Sequence, residues 1–174
     1  PSPQYVYSST LTKFEGTTNA AANLINNATK VEKSHYVDGG ILQRITPEWQ
    51  ITLDAYAKWA HDLTDLGQFG RAVILAPFSY KRGRVYGAEF GSSWRHGPWS
   101  VFGNFSYVKT SAQDINSAQY QFDTAELAYI KNHAIQLDHQ GEYTATAGAS
   151  WTTQHDMAYI DFVYGYGLRS GFAN

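Results

Sequence analysis

Trp49-Gln50-Ile51-Thr52-Leu53-Asp54-Ala55-Tyr56-Ala57-Lys58-Trp59 carries an apolar residue at every odd position and Gln, Thr, Asp, Tyr and Lys at the even ones. Successive side chains of a β-strand point to opposite faces, so this segment has one oily face ending in Trp at both extremes, and one polar face. A strand dressed in this way suits hydrocarbon on one side and water on the other.

Working outward, the same period of two recurs, and the strands form three pairs, each joined by a tight turn. The spacing predicts strands near 34–44, 49–61, 83–95, 99–109, 142–153 and 157–169. The turns fall at Ile45-Thr46-Pro47-Glu48, His96-Gly97-Pro98 and Gln154-His155-Asp156, which hold the residue types that turns demand. Connections after His61 and across Thr110 to Gly141 are long. Alternation of short turns with long loops is the habit of outer-membrane barrels, whose periplasmic turns are short and extracellular loops long. Trp49, Trp94, Trp99 and Trp151 all flank the tight turns, where they are expected to anchor one membrane interface. A soluble β-sandwich or lipocalin-like barrel also alternates, but gives no reason for that clustering.

Composition agrees with an all-β chain. Of 174 residues, 16 % are aromatic, with 13 Tyr, 9 Phe and 5 Trp, and aromatics favour strands. The chain is long enough for one domain. Mean hydropathy of −0.40 suggests a soluble protein, yet half of each barrel strand faces water, so this measure misleads for barrels. A net charge of −2 without a basic block argues against nucleic acid as a partner. With no Cys there is neither a disulfide framework nor a thiolate metal site. Residues 1–33, rich in Ser, Thr, Asn and Ala, read as an extended segment or loop with room for a helical turn in the Ala-rich part. Residues 34–174 read as a partial barrel domain. Pro1-Ser2-Pro3-Gln4 lacks the cationic start and apolar core of a signal peptide, and the chain is expected to be an internal piece of a longer one.

Several words in the chain sharpen the reading. Ser34-His35-Tyr36-Val37-Asp38-Gly39-Gly40, Asp54-Ala55-Tyr56, Gly67-Gln68-Phe69-Gly70, Pro77-Phe78-Ser79-Tyr80 and Gly83-Arg84-Val85-Tyr86-Gly87-Ala88-Glu89-Phe90 resemble the later barrel strands of TonB-dependent outer-membrane receptors. Glu126-Leu127-Ala128-Tyr129-Ile130, Leu137-Asp138-His139, Thr144-Ala145-Thr146-Ala147-Gly148-Ala149-Ser150 and Tyr164-Gly165-Tyr166-Gly167-Leu168-Arg169 continue the resemblance in order, over roughly Lys13 to Asn174. Receptors of that family have barrels of about 22 strands, an N-terminal plug and a short TonB-contacting box. The sequence shows neither plug nor box, and it ends without the closing strand and terminal aromatic usual in such proteins. The resemblance is therefore to the C-terminal portion of a receptor barrel. It implies a bacterial outer-membrane location, with lipid, the plug, the remaining barrel strands and TonB as partners. It also implies energised import of a scarce solute, such as a ferric siderophore, cobalamin, a metal chelate or a glycan, with no enzymatic step and no cofactor. A passive porin-like channel and a soluble β-sandwich or barrel binding module are the alternatives.

Candidate residues follow from position. Gln68, Phe69, Phe78, Tyr80, Tyr120, Phe122, Tyr129 and His133 lie on the long loops and combine aromatic faces with polar tips, the chemistry of a recognition surface. They could equally pack against one another to close the mouth. Asp38, Asp54, Lys58, Glu89, Arg95, Asp161 and Arg169, with Asn104, alternate onto the polar face and are expected to form a mixed-sign lumen wall. His133, His139, Asp138 and Glu126 offer metal-ligand types at a spacing that fits no zinc signature, so no metal site is expected. Ser106, Ser150, His139 and Asp161 supply the residue types of a hydrolase without implying its geometry.

Overall fold

The computed structural model describes residues 8–18, 20–21, 23–68, 75–137 and 140–168. Strand accounts for 65 % of them and helix for 10 %. The elements run α1 (Ser8–Lys13), β1 (Lys33–Arg44), β2 (Trp49–Gln68), β3 (Leu75–His96), β4 (Trp99–Ile115), a 3-10 turn (Gln119–Gln121), α2 (Thr124–Asn132), β5 (Ile135–Gln136), β6 (Gln140–Thr152) and β7 (Met157–Leu168). They form one sheet in the order β1-β2-β3-β4-β6-β7, with β5 pairing β4 off that path. The pairs β4–β5, β4–β6 and β6–β7 are antiparallel. No helix among the described residues is long and apolar enough to cross a membrane.

Strands form at the six places the alternation predicts, but three are longer. β2 runs on to Gln68, β3 begins at Leu75, and β4 continues to Ile115. The reason is visible at Asp62, which sits inside β2 at φ +57°. Buried Ala60 and Leu63 flank it three residues apart, a spacing that strict alternation cannot give, so the pattern loses phase while the strand goes on. Asp114, at φ +64°, does the same near the end of β4. Helix is found at Ser8–Lys13, while Ala20, Ala21 and Asn23, the described residues of the Ala-rich part, are not helical. The expected long loop from Thr110 to Gly141 is partly structured too. Its helix α2 is started by a capping box, in which the Asp123 carboxylate accepts from the Glu126 N–H (2.6 Å) and the Glu126 carboxylate accepts from the Asp123 N–H (2.9 Å).

The chain divides into two compact units. One comprises residues 1–35, 59–84 and 111–136, the other residues 36–58, 85–110 and 137–174. The first unit has a conventional core. Phe78, Tyr80, Ala112, Ile115, Tyr120, Ile130 and Ile135 are buried there, and the Phe78 ring meets Tyr80 and Phe122 edge-on at 5.0 Å each. Polar bonds tie its strands: Asn116 Nδ2 donates to Asp62 Oδ1 (2.6 Å), the Asn116 N–H to the Ser79 carbonyl (3.0 Å), and the Ser79 N–H to Ser117 Oγ (2.7 Å). Lys81 lies 3.4 Å from the Asp114 carboxylate. An N-terminal strap is stitched on as well. The N–H groups of Ala118 and Tyr120 donate to the carbonyls of Asn27 and Ile25, and Asn23 Nδ2 donates to those of Gln119 and Phe122.

The second unit holds all three tight turns and, among its described residues, has no buried apolar cluster. Gly97 closes the middle turn at φ +56°, a left-handed conformation that costs a glycine nothing.

Candidate functional site

The register of β4, β6 and β7 sorts this unit's side chains into two faces. On one, Trp99, Val101, Gly103, Phe105 and Tyr107 lie opposite Trp151, Ala149, Ala147, Ala145 and Tyr143. These in turn lie opposite Ala158, Ile160, Phe162, Tyr164 and Tyr166. No residue on this three-strand surface carries a charge. It is bounded at the tight-turn end by the neighbours Trp99 and Trp151, and at the other end by a row of Tyr107, Tyr143 and Tyr166, with ring centroids 5.1 and 6.3 Å apart along it.

Eight residues separate the two rows on each strand, about 27 Å at the usual rise. At the strand tilt of about 40° common in barrels that is about 20 Å of thickness, comparable with an apolar band of about 25 Å. Trp49 and Trp94 also stand at the tight-turn end. The Trp49 indole N–H donates to Ser92 Oγ (2.9 Å), and the Trp94 ring stacks on His96. All four Trp of the expected girdle are thus exposed or half-buried beside the turns.

The opposite face is polar. Ser100, Phe102, Asn104 and Ser106 face Ser150, Gly148, Thr146 and Thr144, and these face Tyr159, Asp161, Val163 and Gly165. Asn104 Nδ2 donates to Thr146 Oγ1 (3.2 Å). Glycines carry the surface onto β1, β2 and β3: a Cβ on Gly40 would strike the Asp54 carboxylate, one on Gly87 the Tyr56 ring, and one on Gly91 the Thr52 hydroxyl. Glu89, midway between Gly87 and Gly91, therefore stands across from Asp54. A polar hollow of about 190 Å³ opens here, with Thr52, Asp54, Glu89, Asn104, Ser106 and Thr146 among its lining. Asp38, Lys58 and Arg95 alternate onto the same face, while Phe102, Tyr159 and Val163 interrupt it with apolar groups. Arg169 lies outside the described residues.

The loop residues divide. Phe78, Tyr80 and Tyr120 are only 3–4 % exposed, so with Phe122 they make the core of the first unit. Burial pushes the Tyr120 phenol above its ordinary pKa, while a hydrogen bond with Gln121 pulls the other way. Tyr129 and His133 form a stacked pair on the surface of α2, centroids 4.3 Å apart, with His133 Nδ1 3.0 Å from the Tyr129 carbonyl oxygen. Gln68 closes β2, and Phe69 lies outside the described residues.

Asp138 and His139 also lie outside them, and among those described no three His, Asp or Glu converge as a metal set. Of the hydrolase types, Ser106 pairs with Thr144 and Ser150 with Tyr159 in the ladder. The hydroxyl-rich hollow was missed by the sequence reading, because Thr52, Ser106 and Thr146 come together only through strand register. Comparison with family models, with curated proteins and with solved structures found no match.

Proposed function

We propose that this chain is part of an outer-membrane β-barrel that imports a solute, of the TonB-dependent receptor type that its sequence words resemble. The observation that carries the membrane reading is the uncharged face of β4, β6 and β7, framed by a Trp row at one end and a Tyr row at the other. A soluble sandwich would bury that face in protein, whereas a barrel turns it to lipid and keeps indole and phenol groups at the two interfaces. The polar face, with Asp54, Glu89 and its hydroxyls, suits a hydrated interior or a plug lying against it. β1 and β7 end the described sheet, and only closed barrels span a bilayer, so the proposal includes further strands that complete the wall. The resemblance supplies the importer role, with TonB as the source of energy and a solute such as a ferric siderophore bound from outside.

Two measurements test it. The protein should float with phosphatidylcholine vesicles and require detergent for extraction; recovery in the aqueous fraction would make it a soluble binding module. In cells, deleting its gene should abolish uptake of one member of a panel of labelled ferric siderophores, cobalamin, metal chelates and oligosaccharides. Deleting TonB should have the same effect, and uptake that persists without TonB would make the protein a passive channel.

A further inference from the structure

The uncharged face is not smooth. At its Trp row it contains an open hollow of about 420 Å³ with Trp99, Ala149, Trp151, Ala158 and Ile160 among its lining. Register explains the shape. Ala149 lies between Val101 on β4 and Ile160 on β7, and Ala158 lies beside Trp151, so two methyl groups form the floor, with the Ile160 side chain and the two indoles around them. Trp99 and Trp151, adjacent across the β4–β6 ladder, form the wall nearest the turns.

We propose that this hollow seats one acyl chain of a phospholipid whose head group is held by the indoles of Trp99 and Trp151. The inference rests on the membrane reading above. Hydrocarbon is the matching content, because an apolar hollow of this kind gives water too few polar partners to hold it. The rim supplies the second half of the chemistry. Trp49 donates its indole N–H to Ser92, but the indole N–H groups of Trp99 and Trp151 have no acceptor among the described residues. Donors at the edge of an apolar floor match a molecule with a hydrocarbon chain and an ester or phosphate oxygen at its end. The hollow also lies beside the tight turns, at the level where the aromatic row places the head groups.

The full-length protein, extracted in mild detergent and supplied with dioleoylphosphatidylethanolamine, tests this by native mass spectrometry. Wild type should retain one phospholipid per chain. Ala149→Phe and Ala158→Phe, each of which fills the floor, should lower the bound fraction about tenfold, the equivalent of about two methylenes no longer buried. Trp151→Phe, which keeps the floor and removes one donor, should lower it less. Flotation with vesicles is measured on every variant, and a variant that fails to float is set aside in favour of the others. If wild type and a floating filled variant retain lipid equally, the seat is elsewhere and the membrane reading stands. If wild type forms a dimer that Ala149→Phe abolishes, a second copy occupies the hollow and the lipid assignment is overturned. If wild type itself does not float, the membrane reading fails and this inference goes with it.

Discussion

Asp62 carries the price of a left-handed residue inside a strand, about 1–2 kcal/mol for an L side chain, at φ +57°. Its carboxylate accepts a 2.6 Å bond from Asn116, which offsets part of that cost. Asp62→Ala keeps the strain and loses the bond, whereas Asp62→Gly loses the bond and removes the strain. The Ala variant is therefore expected to be less stable than the Gly variant by roughly 0.5–1 kcal/mol, read from urea unfolding. The opposite order would mean that the left-handed conformation is not held in solution. Tyr120 gives a pH prediction. Its folded-state pKa is raised, chiefly by burial, so its contribution to stability is complete below the unfolded phenol value of 10.0 and is lost as pH rises beyond it. Tyr120→Phe cannot ionise and should lose less stability between about pH 9 and about pH 11. Equal losses in both forms, followed by circular dichroism, would assign the alkaline sensitivity to other tyrosines. At this scale the sequence offered candidates by their chemistry but not the direction in which they point. Phe78, Tyr80 and Tyr120 have the composition of a binding surface and the placement of a core, because their partners lie far along the chain.

Elements were readable where one rule governs a whole stretch. From Trp49 to Trp59 every side chain is assigned to a face by its parity, and the structure keeps that strand. Beyond Asp62 parity fails, so the second half of β2 could not be seen by counting. Pro77 pointed to a loop, although a proline is tolerated close to a strand's start, and β3 begins at Leu75. Helix α2 was legible and overlooked: Asp123-Thr124-Ala125-Glu126 is a capping box, obscured by the expectation of a loop. The face assignment makes its own prediction. Ala147 lies on the uncharged face, opposite Gly103 and Phe162, while its neighbour Thr146 lies on the polar one. Ala147→Arg should reduce folding into phosphatidylcholine vesicles by about 2–4 kcal/mol, the cost of an arginine on a barrel's lipid face near the midplane. Thr146→Arg should fold nearly as well as wild type in the same gel-shift assay. Equal behaviour of the two would remove the lipid from that face.

At the scale of the molecule, β7 decides whether the wall continues. Its amide groups alternate between bonds to β6 and the outer side of the sheet. If another strand lies beside it in the intact protein, all amides from Ala158 to Tyr166 should exchange slowly with deuterium. If β7 is an open edge, every second amide should exchange within seconds to minutes while its neighbours stay protected. That closure is where sequence reading stopped, since alternation identifies strands but does not say how many neighbours they have. The strap of residues 23–27 bears on the order in which the protein is assembled. Asn23 is bonded to Gln119, 96 positions further on, so during synthesis the strap emerges well before anything it can grip. It must wait in water without aggregating, and a stretch of Asn, Ala, Thr and Lys around its two apolar residues is suited to waiting. In the first unit these bonds can close only after residues 118–122 have been made, so the strap returns to a segment synthesised much later.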